Sequence, residues 1–187
     1  MILEKEIRFL KSKFMTNTKS ILSIIFLIAA LSCTQNSGDK AVVNPPKASV
    51  TALDSLMDAW HAHAAKGDFT AYFDLCSPQF VFLGTDSTER WDKESFMDFC
   101  RPHFEDGKGW DFKRINRYWD FSSDQQTAWF DERLDTWMKD CRGTGVLEYL
   151  DGNWKISHYS LSVTVENDLI QDYLKIKEQF LDSNGTN

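Results

Sequence analysis

The stretch that decides the fold runs from Ala128 to Val165 and reads AWFDERLDTWMKDCRGTGVLEYLDGNWKISHYSLSVTV. It contains three strand-like segments in succession. The Asp151-Gly152 pair between the last two favours a two-residue hairpin, because a type I′ turn needs positive φ at both positions. This turn predicts that Leu150 pairs with Asn153, which fixes the register of the hairpin.

The register also assigns the two faces of the hairpin. Counting outward from the turn, Glu148 faces Lys155, and a cross-strand pair of opposite charges belongs in water. The inward positions follow from the alternation of side chains along a strand. They are Tyr149, Leu147, Trp154, Ile156, His158, Ser160, Gly145 and Gly143.

Two glycines on this inner face predict a ligand pocket. In this register Gly145 lies opposite His158 and Gly143 lies opposite Ser160, so side-chain volume is missing beside an imidazole and a hydroxyl. The alternative is that the glycines let a bent sheet curve, and both can hold. The predicted pocket residues are Trp60, Phe130, Gly143, Gly145 and Ser160.

The strand before this hairpin supplies the candidate acid. If Lys139-Asp140 is a second two-residue loop, the positions that face inward are Ala128, Phe130, Glu132 and Leu134, and their apolar character supports that choice. Glu132 then lies beside Leu147 and about 10 Å from His158. A three-residue loop would send Asp131 inward instead.

The candidate catalytic residues are therefore Glu132, His158 and, in the other register, Asp131. Glu132 could act as a general base if burial raises its pKa, and His158 as a proton shuttle or ligand donor. The alternatives are a salt-bridged carboxylate and a hydrogen-bonded wall histidine.

Composition indicates one well-packed domain. The chain has 187 residues, of which 42% are hydrophobic and 14% aromatic, which excludes a disordered chain. The net charge of −7 argues against nucleic acid as a partner, because phosphate binding needs clustered Lys and Arg.

The N-terminal segment predicts a secretory signal over residues 1–32. It carries a net charge of +3, which leaves −10 on the remainder, and its apolar run 21–31 is too short to span a membrane. The ending Ala30-Leu31-Ser32-Cys33 resembles the lipobox of bacterial lipoproteins, which implies lipid modification of Cys33. The alternative is an ordinary signal, and the start is Met1 or Met15.

The predicted organisation follows from that anchor. Residues 33–48 form a flexible lipid-anchored tether, residues 49–182 the domain, and residues 183–187 a disordered tail. The expected location is the bacterial cell envelope, with Cys33 in the lipid bilayer and the domain in the periplasm or at the cell surface.

The remaining cysteines and the histidines indicate neither a metal site nor a cofactor. Cys76, Cys100 and Cys141 allow at most one disulfide, and small buried thiols fit them better. His61 and His63 differ by about 200° on a helix, so their rings point to opposite sides.

The order of elements predicts an α+β domain. Helices are expected over residues 50–67 and 69–75, after an N-cap at Asp92 with an end near Pro102, and over residues 169–180. Strands are expected over residues 79–83, 110–121, 126–138, 142–150 and 154–165. Helices first and a long antiparallel meander afterwards place the helices on one face of the sheet.

These residues resemble the SnoaL-like domains of the nuclear transport factor 2-like superfamily. The resemblance lies in Ala128–Glu132, Arg142–Leu147 and Trp154–Ile156, and covers about residues 50–169. It implies a cone-shaped fold, with a strongly bent antiparallel sheet wrapped over N-terminal helices around a pocket, and homodimers joined through sheet surfaces. Function stays open between a binder of a small apolar or mixed ligand, a cofactor-free isomerase or lyase, and a dimeric interaction module.

Overall fold

The computed structural model describes residues 49–107 and 109–185. The predicted signal, tether and Cys33 lie outside the described residues. The helices are α1 (Val50–Lys66), α2 (Phe69–Asp74), α3 (Lys93–Glu105) and α4 (Ile170–Ser183). The strands are β1 (Cys76–Leu83), β2 (Arg90–Asp92), β3 (Lys113–Phe121), β4 (Thr127–Thr136), β5 (Lys139–Leu150) and β6 (Asn153–Val163).

The six strands form one curved sheet in the order β2-β1-β6-β5-β4-β3. The pairing of β1 with β6 is parallel, and the other four pairings are antiparallel. The N-terminal helices pack on the inner face of the sheet, so the predicted α+β cone fold is confirmed.

Helix α1 provides one wall of the core. Leu53, Met57, Trp60 and Ala64 are buried at the spacing of one helical face. The helix ends at Gly67, whose left-handed φ of 65° lets the N–H of the next residue, Asp68, reach the carbonyl of His63.

Helix α3 begins as predicted and ends later than predicted. The Asp92 side chain caps it by accepting a hydrogen bond from the Ser95 N–H at 2.9 Å. Pro102 lies inside the helix, which continues to Glu105, so its predicted role as the end is wrong. Pro102 removes only the hydrogen bond to the carbonyl of Asp98, an exposed residue that water can reach.

The hairpin at Asp151-Gly152 is confirmed. Both residues have positive φ, 50° and 88°, and Leu150 pairs with Asn153. The next two predicted pairs, Glu148 with Lys155 and Leu147 with Ile156, also form.

Strand β6 then bulges at Ser157. Leu147 pairs with Ile156, whereas Val146 pairs with His158, so Ser157 has no residue opposite it. One extra residue exchanges the two faces of the strand beyond it. Gly145 therefore pairs with Tyr159 rather than His158, and Gly143 with Leu161 rather than Ser160, and both predicted pairings are wrong.

The turn between β4 and β5 is Trp137-Met138, with Thr136 paired to Lys139, so the predicted loop at Lys139-Asp140 is wrong. Both loops give the same alternation of faces, because they differ by an even number of residues in the register. The predicted inward set is therefore confirmed, and its members Ala128, Phe130, Glu132 and Leu134 are all buried. Glu132 pairs with Gly143, not beside Leu147.

The three described cysteines, Cys76, Cys100 and Cys141, are free and buried, as predicted. Burial raises the pKa of the Cys76 thiol to about 12. Among the residues the structure describes, no helix combines the length and hydropathy needed to cross a membrane.

Candidate functional site

Glu132 is the centre of a buried polar network between the sheet and α1. The residue is 1% exposed. Oε1 accepts hydrogen bonds from His61 Nε2 and from the Tyr159 hydroxyl, both at 2.8 Å. Oε2 accepts from Arg117 Nε at 2.9 Å and Nη2 at 2.6 Å. Donors therefore occupy all four acceptor positions of the carboxylate.

Each partner of Glu132 comes from a different element. Arg117 is its direct neighbour across the β3–β4 ladder. Tyr159 reaches it because the bulge in β6 turns that side chain inward. His61 follows Trp60 on the buried face of α1.

The network keeps Glu132 ionised. Burial raises the pKa of this carboxyl. The hydrogen bond from His61, the charge that His61 carries if it is protonated, the charge of Arg117 and a hydrogen bond from Tyr159 outweigh burial and lower the pKa to about 2. Burial and the adjacent carboxylate raise the Tyr159 pKa well above its ordinary value, so the phenol stays protonated and donates. The raised pKa that a base at Glu132 would need is therefore not found.

A chain of charges links this centre to the surface of α1. Arg117 Nη1 contacts Asp54 Oδ1 at 3.1 Å and Asp58 Oδ1 at 3.2 Å. Trp119 Nε1 donates to Asp54 at 2.9 Å. Arg114 binds both oxygens of Asp58, at 2.8 Å and 2.7 Å. The buried guanidinium of Arg117 therefore contacts three carboxylates, those of Glu132, Asp54 and Asp58.

His61 connects the network to a cavity. Because the Glu132 carboxylate can only accept, His61 Nε2 carries a proton. The buried Nδ1 has no hydrogen-bond partner among the described residues. The ring borders a cavity of about 310 Å³, together with Asp58, Ala62, Asp111, Phe112 and Arg114.

The space beside the two inner glycines is filled. A Cβ on Gly143 would lie 2.2 Å from the Tyr159 hydroxyl, and one on Gly145 would lie 2.5 Å from the Phe130 ring. The prediction of a cavity at these glycines is therefore wrong, because the two rings occupy the volume that the glycines leave. Trp60 and Phe130, also predicted to line it, are core residues at 1% and 4% exposure.

An apolar cleft instead lies among β1, β2, α3 and the turn between β4 and β5, and we call it the mouth cleft. Its volume is about 140 Å³, and its aromatic walls are Phe82, Trp91, Phe96, Phe112, Phe99, Trp110 and Trp137. A neighbouring depression of about 370 Å³ shares the last three of these rings and adds His103 and Asp111. The two together form one aromatic surface with polar groups at its rim.

Comparison with known proteins agrees with this architecture. The profile of the SnoaL-like domain family matches residues 53–166, more than half of the chain. The chain belongs to the SnoaL-like domain family. No curated protein matches it.

Solved structures show the same fold as this SnoaL-like domain at low sequence identity. A proposed dehydratase of the NTF2-like family from Streptomyces avermitilis has a TM-score of 0.54 and 11% identity, covering 63% of this chain and 96% of its own. An NTF2-like protein of unknown function from Pseudomonas putida has a TM-score of 0.52 and 11% identity, covering 63% of this chain and 87% of its own. A proposed scytalone dehydratase from Novosphingobium aromaticivorans has a TM-score of 0.52 and 13% identity, covering 62% of this chain and 83% of its own.

The candidate catalytic residues are separated in this SnoaL-like domain. Glu132 is at the centre of the network, whereas Asp131 is exposed on the opposite face of β4. His158 precedes the inward Tyr159 and therefore faces away from Glu132. Burial lowers the pKa of His158, and so does the charge of Arg90. Tyr159, which follows His158, is buried on the inner face.

Three members of the network were not predicted from sequence. His61 had a usable signal, since it lies at the edge of the apolar stripe of α1, next to Trp60. Arg117 lies at an inward position opposite Glu132, and this can be recognised only once β3 is aligned with β4. The inward position of Tyr159 depends on the bulge at Ser157, so it could not be predicted from alternation along the strand.

Proposed function

We propose that the SnoaL-like domain binds a small molecule with an apolar, ring-containing body in the mouth cleft. The observation that carries this proposal is the exposure of large rings there. Trp137 is 79% exposed and Phe99 is 40% exposed, although both border an apolar concavity. A ligand that covered them would remove apolar surface from water at about 25 cal/mol per Å².

The rim supports a ligand of mixed character. Thr85 and Glu89 border the cleft, and His103 and Asp111 border the adjoining depression. Ligand sites in proteins are mostly apolar, with a few polar groups that orient the ligand. These four side chains can supply that orientation.

The proposal can be tested with the neutral fluorescent probe N-phenyl-1-naphthylamine and a chain of residues 49–187. We expect Trp137→Ala to weaken probe binding about tenfold, which corresponds to about 1.4 kcal/mol for the lost contact. Trp129→Ala is the matched control, because Trp129 is 44% exposed on β4 outside the cleft. Equal effects of the two substitutions, or no effect of either, would exclude the mouth cleft.

A second candidate function, a cofactor-free isomerase or lyase, is favoured by His61. Its unpartnered Nδ1 could take a proton from a substrate in the adjacent cavity, while Glu132 holds the tautomer and balances the imidazolium charge. Nδ1 is closed off from solvent, so a substrate would reach it only if the cavity wall moved. Ligand binding at the mouth needs no such movement, and we rank it first.

The enzymatic candidate predicts exchange of α-protons with deuterium in a panel of cyclic ketones. His61→Gln should abolish that exchange, while His103→Gln should retain it. Exchange no faster with the unmodified protein than with His61→Gln would remove the enzymatic candidate.

The anchor is a separate part of the proposal. We propose that Cys33 is lipid-modified and that the protein is held in the bacterial envelope as a homodimer, with its domain in the periplasm or at the cell surface. Cys33→Ala should abolish metabolic labelling with an alkyne fatty acid. Labelling that persists in this variant would contradict the lipoprotein assignment.

A further inference from the structure

Helix α4 lies beyond the family match, which ends at residue 166. None of its residues is buried. It nevertheless carries large apolar side chains, and a helix of this length is marginally stable in water without a partner. Its exposed apolar residues, with the residue before it, are Leu169, Ile170, Tyr173, Leu174, Ile176 and Phe180.

The spacing of four of these residues matches the contact line of a coiled coil. Leu169, Tyr173, Ile176 and Phe180 are separated by four, three and four positions, which is the alternation of d and a sites in a heptad. They are 53%, 43%, 66% and 65% exposed. Leu174, at 42%, lies at a b site, away from this line.

The charges beside the line fit a second copy of the same helix. Asp172 falls at a g site and Lys177 at the e site five residues later, the two positions that meet across a parallel pair. In a dimer with two-fold symmetry, this ion pair would occur twice. An antiparallel pair would instead bring g sites together and e sites together, and would leave these opposite charges apart.

We propose that α4 is the dimerisation helix, which pairs in parallel with α4 of a second copy along Leu169, Tyr173, Ile176 and Phe180. The inference rests on the proposed homodimer and assigns its contact to this helix. The present ion pair of Asp172 with Lys175 joins side chains that are about 70% exposed, so it offers little resistance to rearrangement. An anionic lipid surface fits less well, since the helix carries three acids and two lysines.

Disulfide trapping in the full chain tests the contact. Ile176→Cys places a thiol on the contact line, and Leu174→Cys places one on the same helix away from it. The described native cysteines are buried, and the unsubstituted chain measures the background from Cys33. We expect at least fivefold more disulfide-linked dimer with Ile176→Cys. Equal yields, or no dimer from either variant, would overturn the assignment.

Charge reversal in the Ile176→Cys chain tests the parallel arrangement. Asp172→Lys should lower the yield of trapped dimer, and adding Lys177→Asp should restore it. Failure of the second substitution to restore the yield would overturn the parallel pairing.

Trp129→Cys separates failure of this inference from failure of the proposed homodimer. A dimer trapped through Trp129→Cys, on the outer face of the sheet, but not through Ile176→Cys would keep the homodimer and exclude α4. No dimer from either variant would exclude both.

Discussion

Loss of the Glu132 charge should be among the most costly single changes to the stability of this domain. Glu132→Gln keeps the shape of the side chain but leaves Arg117, whose side chain is fully buried, with only Asp54 and Asp58 as counter-charges. Breaking a buried ion pair on one side costs about 3–5 kcal/mol. The two partly exposed aspartates offset some of this cost, so we expect the free energy of unfolding to fall by about 3 kcal/mol at pH 7.

The same magnitude follows from the pKa of Glu132, which is lowered from 4.5 to about 2. A carboxyl with a depressed pKa in the folded state contributes stability above the unfolded pKa, and this contribution is lost as pH falls from about 4.5 towards 2. A shift of that size corresponds to about 3 kcal/mol. The difference between the native chain and Glu132→Gln should therefore shrink to about 1 kcal/mol at pH 3.

Urea unfolding followed by tryptophan fluorescence, on a chain of residues 49–187 at pH 7, 5 and 3, measures this difference. Glu148→Gln is the control, since it lies opposite Lys155 on the same sheet and should cost no more than about 0.5 kcal/mol. A loss below 1 kcal/mol at pH 7, or a difference as large at pH 3 as at pH 7, would refute the reasoning. Adding Arg117→Met to Glu132→Gln should recover part of the loss, because it removes the unpaired charge.

Three further experiments probe the fold. Gly143→Ala should lower the free energy of unfolding by about 2 kcal/mol, because its Cβ would overlap the Tyr159 hydroxyl. A loss below 0.5 kcal/mol in urea unfolding would contradict the close contact. Gly152→Ala should cost about 1 kcal/mol because φ is 88° there, and an unchanged thermal midpoint would argue against the turn. The thiols of Cys76, Cys100 and Cys141 should react with Ellman's reagent only on unfolding, so rapid labelling of the native protein would contradict their burial.

The parts of the fold that depend on local chemistry could be predicted from the sequence. The Asp151-Gly152 turn, the Asp92 cap and the inward position of Glu132 each follow from a few neighbouring residues. The face of β4 was predicted correctly even with the wrong loop, because the two loops give the same alternation. The α+β order needed only the periodicity of successive segments.

What the sequence could not provide depends on contacts between distant segments. The bulge at Ser157 has no local signal, yet it decides that Tyr159 rather than His158 faces Glu132. Because of that one residue, His158 does not share the inner face with Glu132, contrary to the prediction. Whether the space beside Gly143 and Gly145 is empty could not be predicted either. It depends on the rings of Tyr159 and Phe130, which fill it.

The network around Glu132 also bears on the order of folding. Its donors His61, Arg117 and Tyr159 are 71, 15 and 27 residues away along the chain, so the network closes only when α1, β3 and β6 have all docked. Contacts of such sequence separation form late, because loop-closure entropy must be overcome first. Interactions absent from the transition state act mainly on the unfolding rate. We therefore expect this carboxylate to govern how long the folded domain persists, more than how quickly it forms.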